Sequence, residues 1–502
     1  MLAWTIYISF LGVLALPLLP KEKPHLARWL ALLTALLGLA VGVAGTWGQH
    51  GDLQLVVKIP WIASLGIEYH LAADGISLTL VLLTGIAAVA GILFSWNIEH
   101  GAKEFFAFYL ALIGAVYGVF LSFDLFLLFV FYELAIIPKY FLIATWGSTN
   151  HQYGAMKLVL YSFVGSAMVL IGIIAAYVVA GAKTMNLMEL AQYPFPPSFQ
   201  MWAFPLVFLG FAILAGLWPF HTWAPTGHVA APTAVSMLLA GVVMKLGAYG
   251  ALRVAMTLFP RGLDEWGFTV LGLASWRDVF GLLAVIGIVY GAMVALVQKD
   301  FKFVIGYSSV SHMGFVLLGL MTINAVGLNG AVLQMFSHGI IAGLLFAVVG
   351  RMVYGRAHTR DLDKLEAMNL RKWIPFAAII FTIAGFASMG MPGFSGFVAE
   401  LQILAGTWYF SPTYAVLAGF GILVGIAFIL RATHKAFFGK PAEDAEHAEH
   451  PLPPISLPER IGALMLIAIT LIIGLYPGLL LDLIIRSFKS PLFEGLLKGA
   501  AS

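Results

Sequence analysis

The 502-residue sequence contains no cysteine. That excludes disulfides, thiolate metal sites and iron–sulfur clusters on this chain. Charge is scarce too, with Asp, Glu, Lys and Arg making up 10% of residues against about 25% in an ordinary soluble domain. Regular alternation of apolar and polar residues is lacking, so the strands of a membrane barrel are not expected. Neither a Gly-rich nucleotide loop, a nucleophile constellation nor a metal motif stands in a suitable context, and nothing points to nucleic acid. What is abundant is apolar surface: 61% of residues are hydrophobic and the mean hydropathy is +0.95. Such a chain needs lipid around it.

Apolar stretches recur along nearly the whole length, each about what a helix needs to cross ~30 Å of hydrocarbon. The expected architecture is all-α and polytopic, with about 14 transmembrane helices at 2–20, 27–47, 72–95, 104–121, 123–146, 153–181, 201–225, 230–256, 274–298, 301–321, 327–353, 374–409, 412–438 and 459–485. Met1 to Pro20 has no basic leader and no small-residue cleavage site, and is expected to be the first span rather than a signal peptide. Pro219 and Pro225 interrupt the seventh span and Pro392-Gly393 the twelfth; a missing donor and a flexible residue unwind a helix there. Corresponding broken helices in two halves point to an inverted repeat with midplane sites. The expected division is an N-terminal three-helix segment (1–100), a first five-helix repeat (101–256, helices 4–8), an inverted second repeat (274–438, helices 9–13), and a loop with helix 14 (439–502).

Basic residues set the orientation, because cytoplasmic loops carry the excess Lys and Arg. With the N-terminus outside, the inner loops hold Lys21, Lys23, Arg28, Lys103, Lys299, Arg351 and the basic residues of 356–372 and 431–460, fifteen in all. The outer side holds eight: Lys58, Lys183, Arg253, Arg261, Arg277, Arg486, Lys489 and Lys498. Both termini are therefore expected outside. Long hydrophilic connections occur only at 355–373 and 439–458. The second carries Glu443, Asp444, Glu446, His447, Glu449 and His450, and is read as a solvated loop in preference to a metal site.

Ionisable residues inside spans cost several kcal/mol unless paired or hydrated, so each is a functional candidate. Glu133 lies near the middle of span 5, where desolvation and a nearby cation compete over its proton. Lys245 sits near the centre of span 8, too deep to snorkel; there it holds or releases a proton as a partner charge moves. Glu400 follows the Pro392-Gly393 break, where free backbone groups and space for water give a proton access. Lys302, His312 and His338 are candidate relays, since histidine titrates near neutrality and passes a proton through either ring nitrogen. Plainer roles compete: a permanently protonated acid for Glu133, a carbonyl-bound lysine for Lys245, a structural carboxylate for Glu400, an edge anchor for Lys302, and helix-to-helix hydrogen bonds for the two histidines. His221 and His228 flank the seventh-span break and could cap it, and Lys157 could approach Glu133 or face water. These groups lie at mid-depth on separate spans, with no second carboxylate beside any one of them. That pattern suits hops through water better than bond-making chemistry.

At this point the residues resemble a family. Phe131-Tyr132-Glu133-Leu134-Ala135-Ile136-Ile137-Pro138, followed by Trp146-Gly147, resembles the fifth helix of the M-type antiporter-like subunit of respiratory complex I (the NuoM and NdhD family). So do Pro219-Phe220-His221-Thr222-Trp223-Ala224-Pro225, Ala231-Pro232-Thr233-Ala234-Val235-Ser236, the run Gly241 to Gly250 around Lys245, Tyr307 to Phe315 around His312, and the stretch ending at Glu400. The similarity runs in order along essentially the whole chain. It implies a fold of 14 helices with two inverted five-helix repeats, each with one broken helix. It also implies a non-redox, proton-translocating subunit of an NADH:quinone oxidoreductase in the bacterial cytoplasmic (inner) membrane. Glu133, Lys245 and Glu400 would be the helix-5 glutamate, the connecting lysine and the output-side glutamate. No cofactor is implied on this chain; NADH, FMN, iron–sulfur clusters and quinone would belong to partner subunits. Those partners would be L-type and N-type antiporter-like chains and small membrane subunits within the bilayer. An acid at position 400 favours the M type over the L and N types and over Mrp-type antiporter subunits, which usually carry lysine there.

One departure stands out. The family normally places a lysine in helix 7 before Pro-Phe-His-Thr-Trp and a proline two positions on, whereas this chain has Leu214 and Gly216. Lys139, a cation at a position more often uncharged in the family, is about 240° around a regular helix from Glu133, so direct pairing is not expected. The competing functions are a Mrp-type Na⁺/H⁺ antiporter subunit and a structural membrane subunit with an inactive channel.

Overall fold

The computed structural model describes residues 1–49, 51–264, 273–440 and 452–499. The acidic residues Glu443, Asp444, Glu446 and Glu449, with His447 and His450, lie outside the described residues. Among the described residues, twelve helices are long and apolar enough to cross a membrane, and the shorter apolar helices Trp4–Leu18 and Pro375–Ser388 fall in the first and twelfth expected spans. The most apolar windows of Thr233–Met256 and Ala325–Ala357 are wholly buried, whereas that of Pro412–Phe438 is 28% buried. The first two are therefore the centre of the bundle and the third a lipid-facing wall. They carry Lys245 and His338.

Polar residues start the helices. Asp74, Asp124, Asp300 and Asn324 accept hydrogen bonds from the first free N–H groups of the helices that follow them, and Ser456 with Glu459 forms a capping box. Glu459 then binds two guanidinium groups, Arg351 Nε at 2.6 Å and Arg356 Nη2 at 2.7 Å. Similar contacts gather one face of the bundle: Lys103 binds the carbonyls of Pro17 and Leu19, Arg28 that of Ile98, Arg360 pairs with Asp300 and Lys435 with Asp363. Six of the basic residues assigned to inner loops, Arg28, Lys103, Arg351, Arg356, Arg360 and Lys435, thus make their contacts on this face.

The opposite face has an element that the apolar-span reading left unassigned. β1 (Gln54–Ile62) and β2 (Ile67–Ala73) pair antiparallel as a hairpin, with Gly66 at φ +65° in its turn. Phe123 N donates to His70 O at 2.9 Å, and Glu68 N to Asp124 Oδ2 at 3.0 Å, which lays the hairpin over this end of the bundle.

Both of the spans marked by proline, the seventh and the twelfth, break, though not quite where proline alone predicts. The first runs Pro197–Ala215, ends at Gly216 (φ +86°) and resumes as Trp223–Ala230. Pro225 lies inside the resumed helix, in its first turn, where no N–H is required. Trp223 Nε1 donates to Ile213 O at 2.8 Å, joining the Gly216 N–H on that carbonyl. The other break separates Pro375–Ser388 from Ser395–Phe410, with Gly390 and Gly393 at φ +71° and +99°.

Candidate proton-transfer site

Four of the sequence candidates come together in the centre of the bundle. Lys245 is fully buried; its Nζ donates to Ala240 O and lies 2.7 Å from His338 Nδ1. When Lys245 is an ammonium, which has no acceptor, His338 Nδ1 accepts and the ring proton of the neutral imidazole sits on Nε2. Nε2 is buried without a partner. The His312 ring lies next, its centroid 5.4 Å from that of His338. His312 Nδ1 is 2.9 Å from Glu400 Oε1, with Ser388 Oγ 3.2 Å from its Nε2. Gln334 Nε2 donates to the same Glu400 oxygen at 2.9 Å. A cavity of about 10 Å³ is lined by His312, Gln334, His338, Ser388 and Glu400, room for about one water. The chain Lys245, His338, His312, Glu400 is thus hydrogen-bonded at both ends, with space for a single bridging molecule in the middle.

Close helix crossing makes this possible. Gly241 and Gly339 meet backbone to backbone: a Cβ on Gly339 would lie 2.6 Å from Gly241 O, and a small residue on each helix permits that approach. Gly339→Val is expected to force the Lys245 and His338 helices apart, costing about 1–3 kcal/mol. Thermal unfolding of the purified complex checks this, and an unshifted transition contradicts it.

Lys302 is buried against the resumed part of the seventh span. It is 3% exposed, and its Nζ donates to Ala231 O at 2.7 Å and Ser236 Oγ at 3.0 Å, binding the end of the resumed seventh helix. A cavity of about 230 Å³, lined in part by Ser148, Thr233, Lys302, Arg351 and Tyr354, connects Lys302 with the basic face. Ser236 Oγ donates to His228 O at 2.7 Å. The His228 ring is fully buried without a hydrogen-bond partner, within electrostatic reach of both Lys302 and Lys245. The His221 ring lies 5.3 Å from that of Tyr290, close to the Pro219 backbone. Lys157 binds Thr226 Oγ1 at 3.3 Å.

Glu133 stands apart from this chain. Its helix is interrupted at Ala135, between Leu125–Leu134 and Ile136–Trp146, and its surroundings include Ser166 and the charge of Lys139. Lys139 is fully buried, and among the described residues no ion pair within 4.0 Å joins the two. Leu214 is 2% exposed and packs where Gly247 admits the helix-7 backbone: a Cβ there would lie 2.4 Å from Phe211 O and 3.1 Å from Leu214 C.

Two participants, and one buried pair outside the chain of four, escaped the sequence reading. Gln334 and Ser388 lacked charge, although Gln334 is one turn before His338 on the same face. Arg253, placed with the outer-side basic residues, is in fact fully buried and paired with Asp74 at 2.7 Å, a neutralisation that lets it lie inside the bundle. Among the described residues no group of three His, Cys, Asp or Glu could hold a metal ion.

Residues 122–426, more than half of the chain, match the family described as "NADH:quinone oxidoreductase/Mrp antiporter, TM". The chain is 36% identical to the NADH-quinone oxidoreductase subunit M of Escherichia coli across 96% of each chain. It is 34% identical to an NAD(P)H-quinone oxidoreductase chain 4 of Thermosynechococcus vestitus, across 94% of this chain and 89% of that one. Among solved structures it resembles a chain of respiratory complex I from Thermus thermophilus with bound NADH, with a TM-score of 0.86 and 26% identity over 98% of this chain and all of the other. A Mrp complex from a Dietzia species shares the fold, with a TM-score of 0.84 at 20% identity over 100% and 99% of the two chains. The extent of these matches and the buried residues in the matched segment make the chain a member of the NADH:quinone oxidoreductase/Mrp antiporter family, within its subunit M (NuoM/NdhD) group.

Proposed function

We propose that this chain is a proton-translocating membrane subunit of a complex I-type NADH:quinone oxidoreductase, working beside other antiporter-like membrane subunits. The observation that carries the reading is the connected buried chain from Lys245 through His338 and His312 to Glu400. Protons enter from the basic face through the 230 Å³ cavity to Lys302, pass the Ser236 and His228 region to Lys245, and move along the chain to Glu400. Lys245 gives its proton to His338 Nδ1 while Nε2–H serves the water-sized cavity, so the ring passes charge without turning over. Glu133 and Lys139 form a second charged centre through which a neighbouring subunit's charge acts on this one. The route bypasses Leu214, so loss of the helix-7 lysine does not sever it, which argues against an inactive channel.

The two broken helices support reading 101–256 and 274–438 as two halves related by inversion. The excess of basic residues on one face supports a cytoplasmic placement for it, with both termini on the far side of the bacterial inner membrane. This chain supplies no redox centre; NADH, FMN, iron–sulfur clusters and quinone act on partner subunits.

The test is a proteoliposome assay of the complex that holds this chain, driven by NADH and quinone in Na⁺-free medium. A pH gradient that forms and collapses with protonophore is expected. A gradient that appears only when Na⁺ is supplied would favour cation/proton exchange and overturn the reading.

A further inference from the structure

The proposed route leaves one buried charge pair unused. Asp74 caps the helix Gly75–Phe94, and Arg253 lies in the π-helical end of Thr233–Met256, at Ala251–Met256. Arg253 Nη1 donates to Asp74 Oδ2 and Nη2 to Oδ1, both at 2.7 Å, while Ser77 N donates to Oδ1 at 2.9 Å. Relative side-chain exposures are 0% and 1%. The guanidinium lies 5.0, 5.1 and 5.5 Å from the ring centroids of Phe123, Tyr249 and Phe493. Its Nε is buried without a partner.

The position of the pair gives it meaning. Lys245, Tyr249 and Arg253 follow one another at four-residue spacing on one side of the central helix. Tyr249 Oη is 3.3 Å from Ser77 Oγ, and Arg253 Nη2 donates to that hydroxyl at 3.4 Å. Ser77, Arg253, Asp74 and Tyr249, whose hydroxyl also donates to Phe120 O at 3.0 Å, therefore form a polar column that starts one turn from Lys245 and runs toward the hairpin face. There Ser487 Oγ accepts from Ile76 N at 3.2 Å and donates to Gly51 O at 3.0 Å. A column of this kind is either an exit for protons or a closed end. A relay needs a group that takes up a proton and passes it on, whereas the Asp74 carboxylate is held by three donors, two of them N–H groups of the guanidinium. Any proton descending the column also meets a guanidinium, which keeps its charge at all working pH values.

We propose that the Asp74–Arg253 pair is a positioning pair that closes this column to protons, so that Lys245 exchanges protons sideways with His338 and not toward the hairpin face. A fixed arginine charge at a constriction is a general means of excluding protons. The inference rests on the proton-transfer reading above.

The test measures passive proton leak in proteoliposomes of the whole complex, without NADH, as the decay of an imposed pH gradient. The double variant Asp74→Asn/Arg253→Gln removes both charges and keeps hydrogen-bonding groups. Its expected decay is about tenfold faster than wild type, equivalent to lowering the barrier by about 1.4 kcal/mol, with NADH:quinone electron transfer retained. Adding Lys245→Met should abolish the excess leak. Unchanged decay in the assembled double variant, or excess leak that survives Lys245→Met, overturns the proposal. Phe493→Ala strips the ring from the guanidinium and leaves the cation, so its leak should stay at the wild-type level. A rise there would assign the seal to packing and overturn the role of charge, even if the double variant failed to assemble. Because leak is read without NADH, these outcomes are separate from failure of NADH-driven pumping, which would sink the function itself.

Discussion

Lys245→Met, in the assembled complex, should lower proton flux through this subunit by about 10²-fold, the lower end of what loss of a positioned proton-transfer group costs. Methionine fills nearly the same space, so the fully buried site is not opened, and the defect reports the missing ammonium. Two things fail together. The proton arriving from the Lys302 side finds no acceptor, and His338 Nδ1 loses the donor 2.7 Å away that fixes its tautomer. The measurement is the proton-to-electron ratio alongside quinone-reductase turnover, with assembly verified on native gels. A ratio equal to wild type would remove Lys245 from the route.

Arg253→Met alone is the substitution with the largest expected effect on stability. It leaves the Asp74 carboxylate buried opposite a thioether, and breaking a buried pair from one side costs about 3–5 kcal/mol. Loss of the subunit from the membrane arm, or a sharply lower unfolding temperature in detergent, is expected. Adding Asp74→Leu should restore much of the loss, because a buried pair replaced by apolar residues of similar volume is often neutral. If the double variant were no more stable than Arg253→Met, the defect would lie in the lost ring contacts of the guanidinium and not in the stranded carboxylate.

How much of this was visible in the sequence depended on the kind of signal. Spans were legible because an apolar run of membrane length has few other fates, and both helix breaks were marked by Pro and Gly near Pro219 and Gly393. Lys245, His312, His338 and Glu400 were legible as single residues because charge or imidazole inside such a run is costly. Their connection was not legible, since the Gly241–Gly339 crossing that joins two helices depends on tertiary packing. The burial of Arg253 was hidden for the same reason: near a span end it counts as an edge cation until its partner, nearly 180 positions earlier in the chain, is known. The hairpin 54–73 was hidden because its strands face the bundle end, where neither hydropathy nor strict alternation identifies them.

The single-molecule space between His312, His338 and Glu400 also has a consequence for ion choice. Sodium travels with several oxygens around it, and a site that strips them must provide replacements. Here the wall offers one carboxylate, one hydroxyl and a glutamine, beside two imidazoles, around a space of about 10 Å³. A bare proton needs no coordination sphere and no volume of its own. On the proton-transfer reading proposed above, so narrow a gap would work as a sieve, admitting charge as a rearrangement of bonds and refusing it as a particle.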